Sequence, residues 1–136
     1  MTLLQLKNKV SIFIEGDRKL PSEIDKWNTL IGLAIEYISN RTIPFSLIGT
    51  SLLTQEPYRY IKDLRFIRKP VSVIDDDSKV DIDEQLGNAV GYYISMMIAK
   101  DEGTKFKFNK LCDIEIDVYD YNNRVLLDEL QEDGVL

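Results

Sequence analysis

No histidine occurs among the 136 residues, and cysteine occurs once, at Cys112. Without histidine the chain lacks the usual general base near neutral pH and the commonest metal ligand. A lone cysteine makes no internal disulfide, and with no histidine beside it Cys112 reads as a buried structural thiol rather than a nucleophile. Long apolar runs are missing too. The longest, Met96-Met-Ile-Ala99, is far too short to cross a bilayer, and the first residues show no signal-peptide pattern, so no membrane partner and synthesis in a reducing cytoplasm are expected. No internal repeat and no low-complexity segment is present.

What the chain does have is an ordinary globular composition, with 44% hydrophobic and 29% charged residues, which a single domain of this length can fold around one core. Charge is segregated along it. Residues 1–70 carry 11 Lys/Arg against 7 Asp/Glu, net +4, whereas residues 71–136 carry 6 against 16, net −10. The positive charge gathers at Arg59, Lys62, Arg65, Arg68 and Lys69. The negative charge gathers at Asp113, Glu115, Asp117, Asp120, Asp128, Glu129, Glu132 and Asp133. Two solvated faces would account for this. So would head-to-tail contact, a basic patch on one subunit meeting the acidic face of the next, which closes into a ring when the rotation permits.

Thr2 can cap a first helix with Leu3, Leu6, Val10 and Phe13/Ile14 on its apolar face and Gly16 at its end. Pro21 opens a second, carrying Ile24, Trp27, Ile31, Ala34 and Ile38, widened by Leu30, Leu33 and Tyr37 and stopped at Asn40. Arg41–Gly49 reads as an extended link, and 51–53 as a short helical turn. Between Pro57 and Pro70 the residues alternate, with Tyr58, Tyr60, Leu64 and Phe66 on one side and Arg59, Asp63 and Arg65 on the other. That predicts an edge strand or arm, with Val71–Ile74 as a possible partner strand. A third helix is expected over 81–101, capped by Asp81 or Asp83, with Ile82, Leu86, Ala89, Tyr93 and Met97 on its face. Its Gly87 and Gly91 permit close approach of another backbone, within the chain or between subunits. Over 104–130, Ile114, Ile116 and Val118 alternate like a strand, but Leu111, Ile114, Val118, Tyr121 and Val125 keep helical spacing over more residues, so helix is expected. The whole predicts a mainly α domain over 1–130: a small helical bundle with an extended strand or β-hairpin arm at 57–74, and a C-terminal tail at 131–136.

Three groupings invite a chemical reading. Asp75, Asp77, Asp81 and Asp83 resemble a calcium loop, but the sixth position from Asp75 is Val80 rather than Gly and the twelfth is Leu86 rather than Glu. Asp113, Glu115 and Asp117 would hold Mg²⁺ for phosphodiester cleavage only on a strand; on a helix Glu115 points away. The basic aromatic run, Tyr58 to Lys69, suits either a nucleic-acid backbone with stacked bases or a protein partner, with Tyr58, Tyr60 and Phe66 as anchors and Arg59, Lys62, Arg65, Arg68 and Lys69 as pairing charges. A pI near 4.7 favours the protein partner. No cofactor, metal or catalytic set is expected.

The segment ending Arg68-Lys-Pro70, followed by Val80-Asp-Ile-Asp-Glu-Gln-Leu-Gly-Asn-Ala-Val-Gly-Tyr-Tyr-Ile94, resembles the head-to-tail connector (adaptor) proteins of tailed bacteriophages. The matching words lie within 66–98, and the likeness of architecture extends over roughly 20–130; the stretch 113–121 is more acidic than that family's final helix. The resemblance implies a non-enzymatic virion subunit, assembled in the host cytoplasm as a homo-oligomeric, dodecameric ring. The ring would bind the portal protein on one side and a tail or second ring protein on the other, with DNA only passing through the lumen. Residues 58–70 would be the reaching arm, and Asp113, Asp117, Asp120, Asp128 and Glu129 the acidic partner face. A nucleic-acid-binding accessory module acting through 58–69 is the alternative, and a Mg²⁺ nuclease the third reading.

Overall fold

A computed structural model describes residues 1–15 and 20–130; the expected stop at Gly16 and the tail at 131–136 lie outside the described residues. Four helices, α1 (Leu3–Phe13), α2 (Ile24–Arg41), α3 (Gly87–Ile98) and α4 (Glu102–Leu130), surround one core. Two short strands, β1 (Pro57–Tyr60) and β2 (Phe66–Arg68), form an antiparallel hairpin against it. The protein is thus a mainly α bundle with a small hairpin, as its sequence predicts.

Local chemistry sets the helix ends. Thr2 Oγ1 accepts the Gln5 N–H at 3.2 Å while Gln5 Oε1 accepts the Thr2 N–H at 2.9 Å, a reciprocal cap written as Thr-x-x-Gln. Pro21 stands before α2 rather than in its first turn, and its carbonyl accepts the buried Trp27 indole N–H at 2.8 Å. The third helix is shorter than its apolar pattern: it begins at Gly87 after a 3₁₀ turn (Glu84–Leu86) and stops at Ile98. Neither Asp81 nor Asp83 caps it, because both carboxylates are drawn into longer-range contacts. Asp101 opens α4 instead, accepting the Thr104 N–H at 2.8 Å.

The uncharged α3 is the central element, packing on α1, α2 and α4. Its glycines serve contacts inside the chain: a Cβ on Gly91 would sit 2.9 Å from the Phe13 ring of α1, and one on Gly87 3.4 Å from Met1 Sδ. Rings bridge the helices, Phe13 on Tyr92 at 4.4 Å and Tyr37 on Tyr93 at 4.5 Å.

Helix α4 buries Phe108, Cys112, Ile116, Tyr119, Leu127 and Leu130. The segment is helical, as the spacing of Leu111, Ile114, Val118, Tyr121 and Val125 predicts, but these residues do not line the core: Ile114, Val118, Tyr121 and Val125 are exposed, and Leu111 is half-buried. Two apolar stripes run along this helix, and spacing alone does not say which meets the core.

The hairpin also departs from expectation. The segment 57–68 folds back on itself, with Pro57 opposite Arg68, Arg59 opposite Ile67 and Tyr60 opposite Phe66, so β1 pairs with β2 and Val71–Ile74 forms no strand. Nor is it an arm standing off the body. Ile61, Phe66 and Ile67 are buried, and the Phe66 ring fills the space where a Cβ on Gly49 would lie, 2.1 Å away. Phe66→Ala should therefore cost about 3–5 kcal/mol, whereas Tyr60→Ala, at a half-exposed position, should stay within about 1 kcal/mol; urea unfolding of the two variants checks the contrast.

Candidate interaction surface

The basic residues of the hairpin do not form one outward patch. Arg59 turns inward and donates from Nε to the Ser39 carbonyl (3.1 Å) and from Nη2 to the Thr42 carbonyl (3.2 Å). It thereby satisfies oxygens that the C-terminus of α2 leaves without helical partners. Arg68 forms a bidentate pair with the largely buried Asp81, one arm at 2.9 Å, and also donates to the Ser46 carbonyl at 3.1 Å. Asp81 in turn accepts the Val71 N–H at 2.8 Å. Lys69 pairs with Glu56 at 2.7 Å, and the Tyr58 hydroxyl donates to Asn40 Oδ1 at 2.8 Å. Phe66 is in the core. Of the residues expected to dock, Tyr60, Lys62 and Arg65 remain near the hairpin tip, and Arg65 keeps a loose 3.7 Å pair with Asp63.

The tip has a feature that residue alternation did not reveal. Asp63 and Leu64 both lie at positive φ (61° each), as a two-residue primed hairpin turn demands. Asp tolerates that region. For leucine it costs on the order of 1–2 kcal/mol, and Leu64 is 88% exposed, so no burial inside the chain offsets it. A glycine in the sequence would have announced the turn; leucine conceals it.

The acidic residues divide as well. Asp113, Asp117 and Asp120 share one side of α4 and, with Asn40, Arg41 and Ile116, line an open cleft of about 500 Å³. Asp113 accepts the Tyr37 hydroxyl at 2.6 Å and lies 3.5 Å from Arg41, and Asp120 accepts the Thr42 hydroxyl. Glu115 points away from them, which is the helical arrangement that breaks the nuclease triad. Asp117, Asp128 and Glu129 are exposed. The other acidic cluster is dispersed too: Asp75 closes its own turn by accepting the Asp77 N–H at 3.0 Å, Asp81 holds Arg68, and Asp83 belongs to a buried network.

In that network the Tyr119 hydroxyl donates to Asp83 Oδ2 at 2.7 Å, and Asp83 accepts the N–H groups of Phe45 (3.1 Å) and Ser46 (2.7 Å). Burial, and the carboxylate it already serves, push the Tyr119 phenol far above its ordinary range. Cys112 is likewise pushed up, to about 12, by burial first and then by the neighbouring Asp113, so the thiolate is suppressed.

A second cleft, of about 470 Å³, lies between α2 and the hairpin exit, floored by Gly32 and edged by Leu33, Tyr58, Arg68 and Pro70. Among the described residues no group of three or more acidic or cysteine side chains is placed to hold a metal ion, and no helix is long and apolar enough to cross a membrane. No protein-family model matches the chain, and no curated protein or solved structure shows significant similarity to it.

Removing the Tyr119 hydroxyl while keeping the ring, Tyr119→Phe, should cost about 1–3 kcal/mol by leaving buried partners unpaired, measured as a shift in the denaturant midpoint. Two carboxylates should move stability in opposite directions. For Asp81, burial alone would raise the pKa, but Arg68 and the Val71 N–H hold it below the ordinary value. Its contribution is therefore complete above the unfolded value and disappears as pH falls through the lower folded one. For Asp120, burial and Asp117 outweigh the Thr42 hydrogen bond and raise it; the folded state favours the proton, so stability is lost as pH rises through that value. Asp81→Asn should destabilise at neutral pH by about 3 kcal/mol. Asp120→Asn, which keeps an acceptor for Thr42, should raise the melting temperature at pH 7, and the gain should vanish in acid below the carboxylate range. Melting curves across pH for both variants check the signs.

Proposed function

We propose that this chain is a structural docking subunit, a ring-forming component of the connector that joins a phage head to its tail, and that it works by surface contact rather than catalysis. The observation that carries the docking reading is Leu64, a leucine held in a left-handed turn and exposed at the hairpin tip. The fold gains nothing from that arrangement by itself, whereas a partner pocket that covers the leucine does. Tyr60 and Arg65 flank it, an aromatic and a cation of the kind that anchor interfaces. The exposed acidic residues of α4, Asp117, Asp128 and Glu129, offer the complementary charge on a neighbouring copy, so the head-to-tail contact we propose uses fewer residues than the full acidic list. The connector assignment itself rests on the resemblance over 66–98; the portal and a tail component are its proposed partners, and the virion its proposed location.

Leu64→Gly separates docking from folding. Glycine accepts the turn without strain, so the free subunit should gain up to about 1 kcal/mol, while assembly into rings or particles should fall sharply. Arg65→Glu should weaken assembly and change its salt dependence. Native mass spectrometry and negative-stain imaging, alone and with a portal, read the outcome. Binding of single-stranded DNA at physiological salt that is lost in Arg65→Glu, with no ring in either protein, would replace this reading with a nucleic-acid module.

A further inference from the structure

Of the exposed apolar residues of α4, Phe106 and Leu126 stand apart while four share one stripe. Ile114, Val118, Tyr121 and Val125 recur at alternating spacings of four and three, with half-buried Leu111 three residues before them. This is the a/d pattern of a two-stranded coiled coil, with Leu111, Val118 and Val125 at a and Ile114 and Tyr121 at d. At about 100° per residue the stripe lies opposite the core-facing stripe of Phe108, Cys112, Ile116 and Tyr119. The helix is thus apolar on two sides, and only one is covered.

The flanks of this seam identify its occupant. On one side lie Lys110, Asp117 and Arg124 (the g positions), and on the other Glu115, Asn122 and Glu129 (the e positions). In a parallel, in-register pair of such helices each g residue faces the e residue five positions later on its partner. Lys110 then meets Glu115, Arg124 meets Glu129, and Asp117 meets Asn122, each contact twice by symmetry. Among these e and g contacts no like charges oppose one another, whereas Lys107 and Asp128, at the d positions before and after the apolar stripe, would face their own copies and so end the seam on either side. Lys110, Glu115, Arg124 and Glu129 make no ion pair among the described residues; Arg124 only lies over its own Tyr121 ring at 5.4 Å. Val118 and Val125 at a suit two strands, whereas Leu111 at a with Ile114 at d suits a larger bundle. Both halves of the match are written on one surface, as an isologous contact requires.

We infer that a second copy of this chain covers this face, α4 against α4, in a parallel two-stranded seam. Two heptads make a small interface, so the dimer is weak, with a dissociation constant on the order of tens of micromolar. The inference does not rest on the connector reading. If that reading also holds, dimer and ring compete for Asp117 and Glu129, and the dimer is the form in which the free subunit waits.

Sedimentation equilibrium of the purified chain at low salt should show a closed monomer–dimer equilibrium. Val118→Glu, which sets two carboxylates face to face at the centre of the seam, should raise the dissociation constant more than tenfold with the helical circular dichroism and melting temperature unchanged. If that variant fails to fold, Arg124→Glu serves, since it alters only an exposed charge. Arg124→Glu and Glu129→Arg should each weaken the dimer and the double variant should restore it; an antiparallel pair would not be rescued, because there g positions face g positions and residue 124 does not meet residue 129. Ile114→Cys should form a disulfide-linked dimer by itself under mild oxidation, as only a parallel register places position 114 against its own copy. A chain that stays monomeric into the hundreds of micromolar, a dimer indifferent to Val118→Glu, or failure of the charge swap to rescue would overturn the inference. Loss of ring assembly with the dimer intact would count against the connector reading alone.

Discussion

The hydrogen bond between the buried Tyr119 and the half-buried Asp83 joins α4 to the turn that leads into α3, and the Thr42–Asp120 hydrogen bond ties the same helix to the end of α2. One carboxylate receives a phenol from α4 and two backbone N–H groups from the link after α2, and it sits itself in the turn that leads into α3. Each group would be costly to bury alone, and each satisfies another. The α2–α3 connection, some forty residues with little regular structure, is pinned at this point. The Arg68–Asp81 pair fixes the same connection two residues upstream, so the exit of the hairpin and the entry to α3 are held in one place.

That arrangement explains why the basic residues of the hairpin do not form one outward-facing patch. Two of its three arginines turn inward: Arg59 closes the carbonyl end of α2 and Arg68 neutralises the largely buried Asp81. Charge counted along a sequence measures what is available, not what faces outward. The surface that remains is narrower and more apolar, a leucine at a strained tip and a two-heptad stripe along α4.

The helices were legible because their caps and periodicities are local: Thr2 with Gln5, the wide face around Trp27, and the apolar run through α3. Less was legible where the decision is made by distant residues. Asp81 and Asp83 look like helix caps because they precede a helix, but Arg68 and Tyr119 claim them. The hairpin turn was hidden because Asp63 and Leu64 occupy a conformation that sequence normally marks with glycine or asparagine. On α4 both stripes satisfy helical spacing, and the core chose the one with Cys112 and Tyr119. The exposed one still reads as a heptad, and its spacing is what marked the segment as a helix rather than a strand.

The central position of α3 has a consequence for biogenesis. Helices α1 and α2 rest chiefly on α3 rather than on one another, so the first eighty-six residues emerge from the ribosome before the helix on which both pack, with Phe13 and Tyr37 lacking the Tyr92 and Tyr93 rings they stack against. The core closes only when α3, and then α4 behind it, has been synthesised. Translation pauses or truncations before residue 98 leave an open, apolar nascent chain that calls for chaperone protection.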